Sequence, residues 1–158
     1  MQAAPRPFPD LNFPSLGIRY REEEGQYLIL DALRKKWLVC TPEEWVRQHM
    51  IQALVQLYAY PKALIGVEKG LQFNGLAKRT DILVRDREGA PFLLIECKAP
   101  EVALSQATLK QLCTYNAVLH APFLGITNGH KHLFLRYDRQ RGEISQIRQV
   151  PKFSSTES

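Results

Sequence analysis

Asp81, Glu96 and Lys98 are the residues in this 158-residue chain whose types and spacing could do chemistry. They border two short apolar runs, 82–84 and 92–95, which are joined by Arg85-Asp86-Arg87-Glu88-Gly89-Ala90. Apolar runs separated by a Glu-Gly turn signal predict a β-hairpin. A hairpin centred between Glu88 and Gly89 pairs Val84 with Leu93 and, in the same register, Asp81 with Glu96. Directly opposed residues hold their Cβ atoms roughly 5 Å apart, so this register forces two carboxylates together. Side chains alternate along a strand, which puts Lys98 on the face of Glu96 and turns Ile95 and Cys97 the other way. An exposed Glu-Lys pair by itself contributes little. Here the pair ends a strand apolar enough to be buried on both faces, where ions are either paired or functional. Two carboxylates and an ammonium at such a place suit a hard divalent cation.

Several elements must position that hairpin. Thr41 followed by Pro42 and, three residues after the cap, Glu44 has the form of a capping box opening a helix. Val46, Met50, Ala53, Leu54 and Leu57 recur at helical spacing, and Tyr60-Pro61 ends the run. In that arrangement Glu44 reaches back to the Thr41 backbone, while Glu43 is freer and lies beside Arg47. Residues 64–68 read as a short strand and 72–75 as a turn; Glu68 then faces either the Asp81 strand or solvent. A second helix covers about 104–119, packing through Leu109, Leu112, Cys113 and Ala117, with Thr108, Gln111 and Tyr115 on another face. Strands at 121–126 and 131–137 follow, joined through Asn128-Gly129. His130 and His132 alternate onto one face, but two histidines without a third ligand read as surface. Upstream, 17–39 reads as a hairpin with strands 27–30 and 37–39, and Arg34-Lys35-Lys36 at the connection is a solvated turn or a phosphate contact.

The segments 78–84 and 94–100, carrying Asp81 and Glu96-Cys97-Lys98, resemble the core of the PD-(D/E)XK nuclease superfamily, and more closely the N-terminal nuclease domain of type I restriction enzyme R subunits. The stretch 41–48 and the Gln111…Tyr115 spacing fit the same pattern, so the resemblance covers about 30–136. It implies a restriction-endonuclease-like α/β fold: a central mixed sheet of four to five strands flanked by helices, preceded by the N-terminal β-hairpin. It also implies a divalent-metal-dependent DNA endonuclease, with Asp81, Glu96 and Lys98 catalytic. Asp81, Glu96 and the Cys97 backbone carbonyl would hold Mg2+, with Mn2+ as a substitute, since oxygen donors select hard ions. Either Glu68 or Glu43 is the further carboxylate, Glu43 being preferred over Glu44 because of the cap. Gln111, Tyr115, Arg47, Arg79 and Lys78 are the expected substrate-binding residues, with Lys69, Arg85 and Lys110 as additional phosphate contacts. The sequence has no Walker-type loop, so the expectation is a stand-alone restriction- or repair-type nuclease without its own motor. A homodimer and a separate motor or specificity subunit stay open as partners. The alternative is a non-catalytic DNA-binding or scaffold protein on the same fold.

Bulk properties agree without deciding. Lysine and arginine exceed aspartate and glutamate by 21 to 16, for a net charge of +5, which modestly favours a polyanionic partner. Cys40, Cys97 and Cys113 are scattered without C-x-x-C spacing, which argues against a disulfide framework or zinc site and for a reducing, cytoplasmic compartment. No apolar run reaches the roughly 18 residues of a membrane span. The expected organisation is a Pro-rich extended arm at 1–15, which docks on the domain or a second subunit or stays mobile, a single domain at 16–150 with its nuclease core at about 41–137, and a flexible tail at 151–158.

Overall fold

The computed structural model describes the backbone of residues 7–73 and 76–154, and the side chains of all these except 68–80. Among the described residues two sheets and two α-helices form. A three-stranded antiparallel sheet is built from β1 (Tyr20–Glu23), β2 (Gln26–Leu30) and β3 (Trp37–Val39). Helix α1 (Pro42–Gln56) and a short 3-10 turn (Lys62–Leu64) lead into β4 (Ile65–Phe73), β5 (Leu76–Arg85) and β6 (Pro91–Cys97). Helix α2 (Gln106–Leu119) crosses over to β7 (Phe123–Thr127), and β8 (His132–Asp138) and β9 (Glu143–Ile147) complete a six-stranded sheet in sequential order. Only the β6–β7 pair is parallel; the other neighbours are antiparallel. Parallel pairing needs a crossover, and α2 supplies it.

The hairpin of β5 and β6 has the expected register, Val84 opposite Leu93 and Ile82 opposite Ile95. Its turn is fastened by Asp86, whose Oδ1 accepts from the backbone N–H groups of Glu88 and Ala90, with Gly89 at φ +86°. Ile82, Val84, Leu93, Ile95 and Cys97 join a core with Val46, Met50 and Leu54 of α1, whereas Leu83 and Leu94 join Leu112 and Tyr115 of α2. The central strands are therefore buried on both faces, as their unbroken apolar runs require.

Several sequence expectations are corrected. The sheet has six strands rather than four to five, because β9 adds an edge beyond residue 137. The N-terminal pair β2–β3 forms as expected but gains a third strand, β1. Strand β4 continues to Phe73 instead of ending near 68, since β5 extends to pair with it; the expected turn at 72–75 has its centre, 74–75, outside the described residues. Helix α2 starts at Gln106, where Ser105 caps the Thr108 N–H. Residues 151–154, expected as tail, are tied down: the Tyr60 hydroxyl donates to Pro151 O at 2.6 Å, Phe153 N donates to Tyr58 O at 2.8 Å, and the Phe153 ring packs on Tyr60. Residues 155–158 lie outside the described residues.

The described part of the arm lies on its own domain. The Trp45 indole N–H donates to Pro9 O at 3.1 Å, Asn12 N donates to Gly129 O at 2.8 Å, and Phe13 packs between His49 and His132. His132 is engaged at both ring nitrogens, with Thr127 Oγ1 and Asn12 O, while His130 is exposed. Helix α1 is consequently covered on two sides, which buries Trp45 and Ile51 as well as Val46, Met50, Ala53 and Leu54.

The central sheet is tightly closed on the α1 side at Gly125 of β7, where an added methyl would lie 2.9 Å from Phe134 Cδ1 and 3.3 Å from Ile95 Cγ1. Gly125→Val is expected to cost about 1–3 kcal/mol by overpacking, read from urea unfolding. A change below about 0.5 kcal/mol would show that the Phe134 ring gives way freely.

Candidate metal-dependent active site

Asp81 and Glu96 continue the β5–β6 register by one step beyond Ile82 and Ile95, and so meet at the end of the hairpin away from its turn. Alternation turns Glu96 away from Ile95 and Cys97, whose side chains are buried in the α1-side core. The Asp81 carboxylate is fixed from two directions. Its Oδ2 accepts the Cys97 backbone N–H at 2.8 Å, and its Oδ1 accepts from Arg47 Nη2 of α1 at 3.3 Å. Lys98 follows on the face of Glu96, with Nζ 3.8 Å from Glu96 Oε1, both side chains a little under one-third exposed.

This crowding has an electrostatic signature. Burial, the Asp81 charge beside it, a hydrogen bond with Asp81 and a small contribution from Glu43 all raise the Glu96 carboxyl, against the pull of Lys98. The result is a rise from an ordinary 4.5 to about 8. A carboxyl raised in this way by burial and by a second carboxylate against it is one that a cation would ionise. Tyr115 of α2 is close enough that the Glu96 charge, after burial, pushes its phenol up too.

The donor set fits a hard divalent ion. Among the described residues no group of three or more His, Cys, Asp and Glu side chains forms, and none is needed: magnesium is commonly held by one or two carboxylates, with water and substrate phosphate completing the shell. The fully buried Cys97 thiol, raised far above its ordinary value first by burial and then by the Asp81 charge, points into the core and is no ligand. Its backbone belongs to the same corner of the sheet, as the N–H bond to Asp81 shows.

Other sequence candidates fall differently. Glu43 is exposed on the first turn of α1 and acts on Glu96 only through its charge. Thr41 does cap the Glu44 N–H, at 3.1 Å, but the reciprocal half of the capping box is not made by Thr41 N, which donates to Val39 O. The Glu44 carboxylate is instead buried against Arg47 and Gln48, at 2.9 and 3.1 Å, because a guanidinium within a turn is a stronger partner than one backbone N–H. Arg47, expected to touch substrate, is buried among these groups rather than presented to solvent. Gln111 is exposed, whereas Tyr115, expected on the same open face, is buried in the α2-side core. Arg85 donates to Gly89 O at the turn, the opposite end from Asp81, and Lys110 is exposed on α2. The side chains of Glu68, Lys69, Lys78 and Arg79 lie outside the described residues. Sequence reasoning missed the roles of Glu44 and Gln48; the signal was a run of polar residues at 47–48 inside the apolar spacing of α1.

No curated protein sequence matches this chain. A solved fragment of a candidate HsdR subunit of a type I restriction enzyme from Vibrio vulnificus is 21% identical with a TM-score of 0.46, over 65% of this chain and 22% of that one. This chain thus spans about a fifth of that fragment's length. A candidate nuclease of the DUF820 group from Anabaena variabilis is 14% identical with a TM-score of 0.46, over 80% of this chain and 75% of that one. The family described as type I restriction enzyme R protein N terminus (HSDR_N) matches residues 42–151, which include α1, the Asp81–Glu96–Lys98 corner and α2. The chain belongs to the HSDR_N family of type I restriction enzyme R protein N termini.

Proposed function

We propose that this domain is a Mg2+-dependent endonuclease that hydrolyses phosphodiester bonds in DNA. The observation that carries the reading is the forced pairing of Asp81 and Glu96, with the Glu96 carboxyl raised to about 8 and Lys98 beside it. Asp81, Glu96 and the Cys97 carbonyl would hold the ion, with Glu68 or Glu43 as a further carboxylate. A bound divalent ion supplies an activated water and offsets charge that builds on the phosphoryl oxygens.

The chain's own residues have distinct tasks. Asp81 is held in one orientation by the Cys97 N–H and Arg47, so it offers its carboxylate without rearrangement. Glu96 carries the proton that must leave before the ion is held. Lys98 keeps a cation on the open side of the carboxylates, where it orients the attacking water and stabilises the pentacovalent phosphorus. It acts electrostatically, from its place 3.8 Å from Glu96 Oε1. Gln111, exposed one turn before Tyr115, is the proposed contact with the strand being cut.

DNA would be bound mainly through phosphates, which carry no sequence choice. Lys78, Arg79, Lys69 and Lys110 are the proposed contacts. A separate motor or specificity subunit, or a second copy of the chain, would then select the target. No helix among the described residues is long and apolar enough to cross a membrane.

Asp81→Ala and Glu96→Ala are expected to abolish Mg2+-dependent plasmid cleavage, about 10³-fold or more, while both proteins stay folded. Lys98→Ala should keep metal binding but cleave about 10²-fold or more slowly. Metal binding and DNA binding without any cleavage by the parent protein would favour a scaffold that keeps the nuclease fold.

A pH series gives a second check. Glu96 has its folded value raised from 4.5 to about 8, so between these limits the folded protein binds more protons than the unfolded chain. Metal-free stability should therefore fall as pH rises from about 4.5 to about 8, and Glu96→Gln should remove that fall. Mn2+ affinity should weaken as pH drops below about 8, by up to tenfold per unit. Parallel stability profiles for the parent and Glu96→Gln, read from urea unfolding in chelator, would contradict the assignment.

A further inference from the structure

A chain of buried polar groups runs from the N-terminal sheet to the candidate metal ligand. Ala32 N donates to Gln48 Oε1 at 3.1 Å, and Gln48 Nε2 donates to Glu44 Oε2 at 3.1 Å. Arg47 Nη1 donates to Glu44 Oε1 at 2.9 Å, and its Nη2 to Asp81 Oδ1 at 3.3 Å. Glu44, Arg47 and Gln48 are 7%, 6% and 1% exposed. Burying an ion pair is costly, and apolar residues of similar volume are often at least as stabilising. The pair between Glu44 and Arg47 therefore calls for a reason other than stability.

Arg47 alone is a poor neighbour for a metal ligand. A guanidinium fixed on Asp81 orients the carboxylate but also neutralises it, and so competes with any incoming cation. Glu44 sits on the same guanidinium from the other side. Around the buried guanidinium, Glu44 Oε1 lies 2.9 Å from Nη1 and Asp81 Oδ1 3.3 Å from Nη2. Without Glu44 the Arg47 charge would bear on Asp81 alone and weaken its hold on a divalent ion.

We propose that Glu44 is a charge-compensating positioning residue: it cancels the charge of Arg47, so that Arg47 can orient Asp81 without occupying the place of the metal. Gln48 holds the Glu44 carboxylate toward Arg47 by its amide N–H, and is itself anchored by the Ala32 N–H. Glu44 is assigned no place in the metal's own shell. The inference rests on the metal-dependent reading given above.

The test is Mn2+ titration calorimetry at fixed pH on the parent, Glu44→Gln and Glu44→Gln/Arg47→Met proteins, each checked for folding by circular dichroism. Glu44→Gln keeps the shape and removes the charge, and should weaken Mn2+ binding about tenfold or more, as loss of a nearby buried charge implies. The double variant removes the charge that Glu44 cancels, leaves Asp81 fixed by the Cys97 N–H, and should recover most of the lost affinity. A purely structural role for Glu44 would leave the double variant as weak as the single one or weaker, which would overturn the proposal. Unchanged affinity in Glu44→Gln would overturn it too, leaving the metal centre itself standing. If Glu44→Gln does not fold, the double variant decides: near-parent affinity supports charge compensation, and loss of binding refutes it. Absence of saturable Mn2+ binding by the parent protein would remove the metal centre and this inference together.

Discussion

The register of β5 against β6 is the constraint on which the rest of this domain depends. Strand pairing has a period of two, so a slip by one residue would send every side chain to the opposite face. Asp81 would then no longer stand opposite Glu96, and the carboxylate pair would not exist. The register is held at one end by the Asp86 turn and at the other by the Cys97 N–H bonded to Asp81. Between those ends lie Ile82, Leu83, Val84, Leu93, Leu94 and Ile95, all essentially inaccessible to solvent. The hydrophobic strands thus do more than stabilise the sheet: their burial fixes which two carboxylates must meet.

That meeting is unfavourable for the folded state without a cation, as the raised Glu96 carboxyl records. Residues that break local rules of stability tend to mark functional sites. The surroundings absorb the cost. Helix α1 is sandwiched between the main sheet on one side and the N-terminal sheet and arm on the other, so its polar residues at 44, 47 and 48 are held in one arrangement. Tyr115 and Leu112 of α2 close the other face. The N-terminal sheet therefore contributes to the site without touching it, through the helix that it clamps.

Local signals carried much of this architecture in the sequence. The Thr41 cap, the Asp86–Ala90 turn and the Val84–Leu93 pairing follow from rules that span a few residues, and each is present in the structure. The mixed α/β sheet flanked by helices was legible from the element order. Edge elements were not. Strand β1 is Tyr-Arg-Glu-Glu and β9 is mostly exposed, so neither has the apolar run that marks a buried strand. Phe153 gave no sign of packing because one aromatic residue has no periodicity. Within the site, the Arg47–Asp81 bond links positions 34 apart in sequence, which helix rules cannot foresee. The same limit misdirected the reading of Glu44: the local capping rule assigned it to Thr41, and a tertiary cluster claimed it. Tyr115 shared a helical face with Gln111 on spacing alone, and only the packing of α2 on the sheet separates the buried residue from the exposed one.

In the proposed function, β5 and β6 bring Asp81 and Glu96 together to hold a divalent ion. The most direct test is anomalous diffraction from crystals of the unmodified protein grown or soaked with Mn2+ near pH 8. A single strong peak is expected within coordination distance of both carboxylates, about 2.0–2.3 Å from their oxygens, on the side facing Lys98. Mn2+ bound only elsewhere, or an empty site with Asp81 and Glu96 turned apart, would contradict it.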